Sequence, residues 1–286
     1  AYILNKKHDI TIYEKNDYIG GHTHTHKIPE NNTTFNVDSG FIVYNENTYP
    51  NFIRLLDLLN VERQHSNMGF SVKTSYKDFE YSGNSIGSIF AKKSNMFNPY
   101  FLNMLKSILR FNKVSIKDLD KIDASTSLIE YLKSKRFSSY FIKYYIVPMA
   151  AAIWSTSPKM ILKMPALFFI KFFNNHGLLQ VKNRPQWWVI KNGSKQYVKK
   201  IINQFNGTIN LNTPVIKVSR NENQVIIKTK TNSDVFDAVI FATHSDQSLR
   251  LLQDCSDDEK SILSKIKYQK NTPLIHTDTS ILPKRK

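Results

Sequence analysis

Residues 10–21, ITIYEKNDYIGG, and residues 38–44, DSGFIVY, constrain the fold more than any other part of the chain. A β-branched run ends in an acidic residue, Glu14, and a short polar loop leads to the pair Gly20 and Gly21. A further glycine, Gly40, interrupts a second β-like run. This is the order of elements that follows the phosphate loop in a dinucleotide-binding sheet. In such sheets the acidic residue ending the second strand holds ribose hydroxyls, about 20 residues after the Gly-rich turn. Counting back from Glu14 lands before Ala1, so the first strand and its phosphate turn are expected outside this chain. The opening Ala1 and the closing PKRK read as the ends of a fragment. A Gly pair allows positive φ or close approach of a ligand, and a plain tight turn needs the same pair. A glycine within a strand marks close approach of either a ligand or another backbone.

The 286 residues suffice for one large domain or two modest ones with real cores. Hydrophobic residues at 41% and charged residues at 22% exclude bulk disorder. The net charge of +17 raises nucleic acid or an anionic membrane surface as a partner. The Lys and Arg residues are spread along a chain also rich in Asn and Ile, with no basic run longer than three. Charge alone favours nucleic acid; no binding module or compact basic-aromatic groove accompanies it, so none is expected. Cys255 is the sole cysteine, which fits a reducing, cytoplasmic compartment. The longest apolar run, residues 144–154, contains Pro148 and falls short of the ~20 residues a membrane span requires. His22, His24 and His26 alternate with threonines and would share one strand face. No carboxylate or cysteine joins them at ligand spacing, so no metal is expected.

Along the chain, residues 1–7 read as the end of a helix and residues 10–14 as a buried strand. Residues 35–44 read as a hairpin partner broken at Gly40. Residues 49–60 form an amphipathic helix with Phe52, Leu55, Leu56 and Leu59 on one face. Short strands are expected within 68–82, and a helix over 99–113 with Phe101, Leu105, Ile108 and Leu109 inward. Ser127 and Glu130 make a capping box for a helix over 128–135. Residues 138–154 are helical with an interruption at Pro148. Ser157-Pro158 opens a helix running to about Asn174, with Gly177 as its C-terminal cap. Asn192-Gly193 turns the chain, and Ser194 caps a helix ending near Gly207. Strands are expected over 208–211, 214–220, 224–230 and 236–242, then helices from Ser245 and from the capping box Ser256/Glu259, with a strand from Pro273. The aromatic and Met-rich residues of 46–187 serve as core or as an apolar substrate pocket.

ITIYEKNDYIGGHTHT resembles the second strand and Gly-Gly loop of flavoproteins of the amine oxidase and phytoene desaturase superfamily. DSGFIVYNENTYPNF, PMAAAIWSTSP, NHGLLQVKNRPQW and VIFATHSDQSL are similar, in that order, to its bacterial NAD/FAD-binding branch. The resemblance covers nearly the whole chain. It implies an α/β fold: a Rossmann-like FAD-binding domain, its first strand and phosphate loop missing, with an inserted, mostly helical substrate domain. The FAD-binding part would be 1–45 and 188–255, and the substrate part 46–187 and 256–286. Glu14, with Lys15 beside it, would hold the adenosine ribose. Gly20, Gly21, His22 and Thr23 would lie along the pyrophosphate and ribityl chain. Gly40 and Phe41 would approach the flavin ring, Val215 would meet the adenine through its backbone, and Thr243 would end the strand closing the site. His22 stands where many relatives carry Arg.

The implied activity is FAD-dependent hydride removal from a substrate C–H, of amine-oxidase or desaturase kind. No catalytic base is assigned: His22, His176 and His244 lie near the expected loops and read as structural. The aromatic insert and basic surface point to a small-molecule or lipid-like substrate, with peripheral contact to an anionic membrane. A flavin-binding protein without catalysis is the alternative.

Overall fold

The chain divides into two units, one of Ala1–Ile42, Leu56–Glu62 and Ile190–Thr272, the other of Val43–Leu55, Arg63–Val189 and Pro273–Lys286. The structure, a computed structural model, describes residues 1–74, 78–181 and 183–285.

In the first unit the strand expected over 10–14 is Thr11–Tyr13, half-buried rather than buried, and paired in parallel with Thr208–Asn210. The helix expected over 1–7 is a single 3-10 turn, Leu4–Lys6. Thr25–Glu30 and Thr33–Asp38 form an antiparallel hairpin in the register Thr25 to Asp38. Lys217–Arg220, Val225–Lys228 and Ser233–Phe236 make an antiparallel meander with Val225–Lys228 central. Period-two alternation places Val225 and Ile227 inside and Ile226 and Lys228 outside. Val218, Val225, Ile227 and Leu252 are the core of this unit, with Tyr13, Val215, Phe236 and Phe241 packed on them. The Tyr13 hydroxyl donates to Asp234 at 2.7 Å; burial and that carboxylate push its pKa up to about 12.

The apolar run 236–242 departs from expectation. Only Phe236 joins a ladder, opposite Val225, and residues 237–243 form no strand. A strand needs neighbours for its backbone groups, and among the described residues the run finds one only at its first position. Ile240 is left 73% exposed. No strand forms at 273–277 either, where no ladder partner is present among the described residues.

The second unit is mainly helical. Asn98 caps the helix Pro99–Asp118 by accepting from the N–H groups of Tyr100 and Phe101, and Pro99 occupies the first turn, where its missing N–H is harmless. Phe101, Met104, Phe111 and Ser115 face inward at helical spacing. Leu105 and Ile108 pack partly, but Leu109 points out at 57% exposure, because the buried stripe runs through Met104 and Phe111. Leu128–Ser134 follows its capping box as expected. Phe111, Phe141, Phe169 and Phe173 are fully buried. Each such side chain removed from water contributes ~1.5–3 kcal/mol.

Pro148 does not interrupt its helix. Ser139–Phe141, the π segment Ile142–Ile146 and Val147–Trp154 run on continuously. Pro148 has no N–H to give the Tyr144 carbonyl one turn back. The buried Tyr81 hydroxyl donates to that carbonyl instead, at 2.8 Å. The helix expected over 158–174 is broken, into Pro158–Lys163 and Ala166–Asn175. Pro165 disfavours helical backbone at the preceding residue, and Met164 is extended at ψ 144°. Gly177, at φ +68°, closes the second piece: Leu178 N–H bonds Phe173 C=O at 2.8 Å and Gly177 N–H bonds Asn174 C=O at 3.1 Å.

Pro50–Leu58 is the amphipathic helix, with Leu56 buried along it and Leu59 just beyond its end. Val43–Asn45 leaves the expected hairpin and pairs with Trp187–Ile190, which is central between it and Arg63–Ser66. Ser71–Lys73 pairs with Glu80–Ser82; the remainder of the expected strands, residues 75–77, lies outside the described residues. The tail is strapped to this hairpin: Arg285 bridges Asp78 and the buried Glu80 at 2.8 Å each. Among the described residues no helix is long and apolar enough to cross a membrane.

Candidate functional site

Glu14 sits at the C-terminal end of its strand, the end at which open α/β sheets take ligands. Its N–H bonds Asn210 C=O at 2.9 Å and its C=O receives Thr213 N–H at 2.8 Å. These bonds bring the Thr213-Pro214-Val215 segment alongside Glu14. Oε1 of Glu14 accepts the Asn16 N–H at 2.9 Å, which leaves Oε2 for a ligand hydroxyl. Lys15 is exposed beside it, and Val215 is half-buried against the core.

The loop then closes in a turn, with Thr23 N–H on Gly20 C=O at 2.8 Å. Gly20 and Gly21 have φ of +120° and +54°. A Cβ on Gly20 would stand 2.8 Å from the Thr23 carbonyl, whereas one on Gly21 would meet nothing within 4 Å. Thus Gly20 serves the turn itself, and Gly21 borders open space. The Thr23 hydroxyl is hydrogen-bonded to the Tyr197 hydroxyl, which ties the turn to the helix Lys195–Asn203. Burial pushes the Tyr197 pKa up.

Ser194 makes no capping bond to this helix through its side chain. Asp38 takes the role instead: its carboxylate accepts the Ser194 N–H at 2.9 and 3.0 Å and the Ser194 hydroxyl at 2.9 Å. Thr25 Oγ1 accepts the Lys195 N–H at 2.9 Å. A carboxylate is favoured here both as acceptor and by the helix dipole. Asp38, Thr25 and Tyr197 are therefore positioning residues that sequence reasoning missed. The signal available was a strand-end Asp and a Thr opposite it on the neighbouring strand, without any indication of which helix they would serve.

Past Asp38 the hairpin continues as Ser39 N–H to His24 C=O and Phe41 N–H to His22 C=O, each at 3.2 Å. A Cβ on Gly40 would lie 1.9 Å from the His22 carbonyl oxygen. The backbone of His22 is thus what requires glycine at position 40. His22 does not share a face with the other two histidines. Its ring is stacked with His244 at 5.7 Å and 10°, and His244 with Tyr268 at 4.2 Å and 6°. The Tyr268 hydroxyl accepts the Ser245 N–H at 3.0 Å. Thr243, next to His244, shares a 2.8 Å hydrogen bond with the Ser248 hydroxyl. His24 and His26 pack edge to face at 4.3 Å, and His26 Nε2 bonds the Ser39 hydroxyl at 2.8 Å. Two groups result: Glu14, Lys15 and Val215, and Gly20 to Thr23 with Gly40, Phe41 and, through His244, Thr243. His176, in the second unit, is held structurally by the Phe172 carbonyl at 2.9 Å and by the Phe172 ring.

The profile of the family described as flavin containing amine oxidoreductase matches residues 1–275. The chain belongs to that family. Its fold is that of the FAD-dependent amine oxidases. It is similar to cyclohexylamine oxidase from Brevibacterium oxydans IH-35A, with TM-score 0.64 and 14% identity, over 90% of this chain and 57% of that one. Putrescine oxidase bound to putrescine gives TM-score 0.62 and 16% identity over 90% and 57%. The fatty acid isomerase of P. acnes that produces CLA gives 0.60 and 13% over 89% and 57%. The chain thus spans little more than half the length of these solved structures. No curated protein matches it in sequence.

FAD is the cofactor of this flavin-containing family, and the residues present fit it. Glu14 keeps one carboxylate oxygen for a ribose hydroxyl. Gly21 leaves room at the turn for a phosphate-bearing chain.

Proposed function

We propose that this chain belongs to an FAD-dependent oxidoreductase, its first unit holding the cofactor and its helical unit serving the substrate. When bound, the flavin supplies a hydride acceptor at N5. The chain's residues bind and orient. Glu14 would hold the ribose, with Lys15 beside it. Gly20, Gly21, His22 and Thr23 would line the pyrophosphate, and Gly40 with Phe41 the flavin side. Val215 and Thr243 would border the adenine and the closing edge. The observation that carries this reading is the Glu14 carboxylate. It is fixed by Asn16 at a strand end, directly ahead of the open Gly20–Thr23 turn. Putrescine oxidase and the fatty acid isomerase act on very different compounds, so the fold leaves both an amine and a lipid-like substrate in view.

The helical unit favours the lipid-like substrate. Met160 and Phe168 are 57% and 52% exposed, among Lys159, Lys163 and Lys171. Such an apolar surface with a cationic fringe suits peripheral contact with an anionic membrane, at the cytoplasmic face if Cys255 stays reduced. Anaerobic mixing of the flavin-loaded protein with amines and with long-chain lipids tests the activity. Bleaching of the flavin band by one class assigns it, and no bleaching by either removes the oxidoreductase reading. Flotation with anionic liposomes at low salt tests the membrane contact, which fails if the protein stays at the bottom of the gradient.

A further inference from the structure

The helical unit contains a cavity of ≈ 660 Å³ bounded by residues from the Ser71–Lys73 strand, the Leu128–Ser134 helix, the π segment Ile142–Ile146 and the Pro158–Lys163 helix. Its size falls within the ~300–1,000 Å³ of small-molecule sites. Phe137, Ile142, Val147 and Leu162 give it apolar walls. Lys73, Lys133 and Lys143 also line it, and no Asp or Glu is among its described lining residues. Lys73 is anchored, its Nζ donating to the Ser280 and Leu282 carbonyls at 2.7 and 2.9 Å. Lys133 and Lys143 are exposed.

A second observation comes from the wall itself. The π segment widens the helix where it borders the cavity, and π turns of this kind concentrate at functional sites. Tyr81 and Pro148 hold that irregular stretch in place, the Tyr81 hydroxyl satisfying the Tyr144 carbonyl at 2.8 Å. An apolar space with cations and no anions selects an amphiphile by charge complementarity.

We propose that this cavity binds a free, single-chain amphiphile with an anionic head, a long-chain carboxylate. The chain lies against Phe137, Ile142, Val147 and Leu162, and the carboxylate meets Lys133 and Lys143. The site lies wholly within the helical unit and stands whether or not the protein carries a flavin.

The test is displacement of a fluorescent fatty acid, parinarate, by oleate, with calorimetry on the purified protein. One saturable site is expected. Oleyl alcohol, of equal chain length and no charge, binds more weakly. Lys133→Gln with Lys143→Gln lowers oleate affinity about tenfold, with the thermal unfolding midpoint unchanged. Leu162→Trp, which sets an indole against the apolar wall where the chain would lie, weakens binding at least tenfold. Absence of saturable binding overturns the proposal, as does equal affinity for oleyl alcohol. So does binding to anionic phosphatidylglycerol vesicles that needs the lysines while Leu162→Trp, shown folded by circular dichroism, leaves oleate binding intact.

Discussion

The Asp38 carboxylate accepts the Ser194 N–H at 2.9 and 3.0 Å across 156 residues of sequence. It fixes the start of the Lys195–Asn203 helix to the end of the Thr25–Glu30/Thr33–Asp38 hairpin. That same helix carries Tyr197, which holds Thr23 and so the Gly20–Thr23 turn. Asp38→Ala is expected to destabilise the protein by ~1–2 kcal/mol, the cost of losing an N-cap, and Asp38→Asn by less. Denaturant unfolding followed by circular dichroism measures both.

Tyr81→Phe removes the donor that serves the Tyr144 carbonyl. Losing a hydrogen bond of this kind costs ~0.5–1.5 kcal/mol. Pro148→Ala restores an N–H one turn from that carbonyl, so in the Tyr81→Phe background it should recover part of the loss. A double-mutant cycle on unfolding free energies reads the coupling.

Two glycines of the candidate site should respond differently. Gly40→Ala puts a Cβ against the His22 carbonyl, 1.9 Å away before relaxation, and breaks the Phe41 to His22 pairing. A loss of about 2 kcal/mol or more follows. Gly21→Ala meets no atom within 4 Å and costs only its left-handed backbone at φ +54°, ~1 kcal/mol. Thermal melts of the two variants check the order.

These positions show what a sequence can and cannot reveal. The capping boxes Ser127/Glu130 and Ser256/Glu259 were legible because both partners lie within one turn. The Thr11–Tyr13 strand and Glu14 were legible because a β-branched run and its acidic end are contiguous. The cap from Asp38 to Ser194 was not, since its partners meet only after folding. Apolar runs misled where a neighbour was needed: 236–242 has β-forming residues, but only Phe236 is paired. Pro165 is a local break signal that the apolar period masks by running straight through it. A glycine inside a β-like run signals close approach of a ligand or a backbone, and at Gly40 the neighbour is the His22 backbone.

Arg220 binds Asp254 at 2.7 Å and forks onto Glu259 at 2.7 and 2.9 Å. The guanidinium, then the Ser256 N–H, hold the Glu259 carboxyl down to about 2, and Arg220 likewise lowers Asp254. A carboxyl depressed on folding stabilises above its unfolded pKa and loses that contribution as pH falls through the folded value. Stability should therefore decline from about pH 4.5 toward 2 in part through this cluster. Arg220→Gln should flatten that limb while changing little of the slope above pH 5. Unfolding midpoints across the acid range provide the comparison.

In the proposed cofactor site, Glu14 and the turn after it would hold FAD. Fluorescence titration of FAD with the purified protein, beside its Glu14→Gln variant, tests this most directly. Gln preserves an acceptor for the Asn16 N–H but removes the charge offered to the ribose. Saturable binding to the native chain and about tenfold weaker binding to the variant are expected. A native protein that takes up no FAD, or a Glu14→Gln variant that binds it equally well, would contradict this assignment.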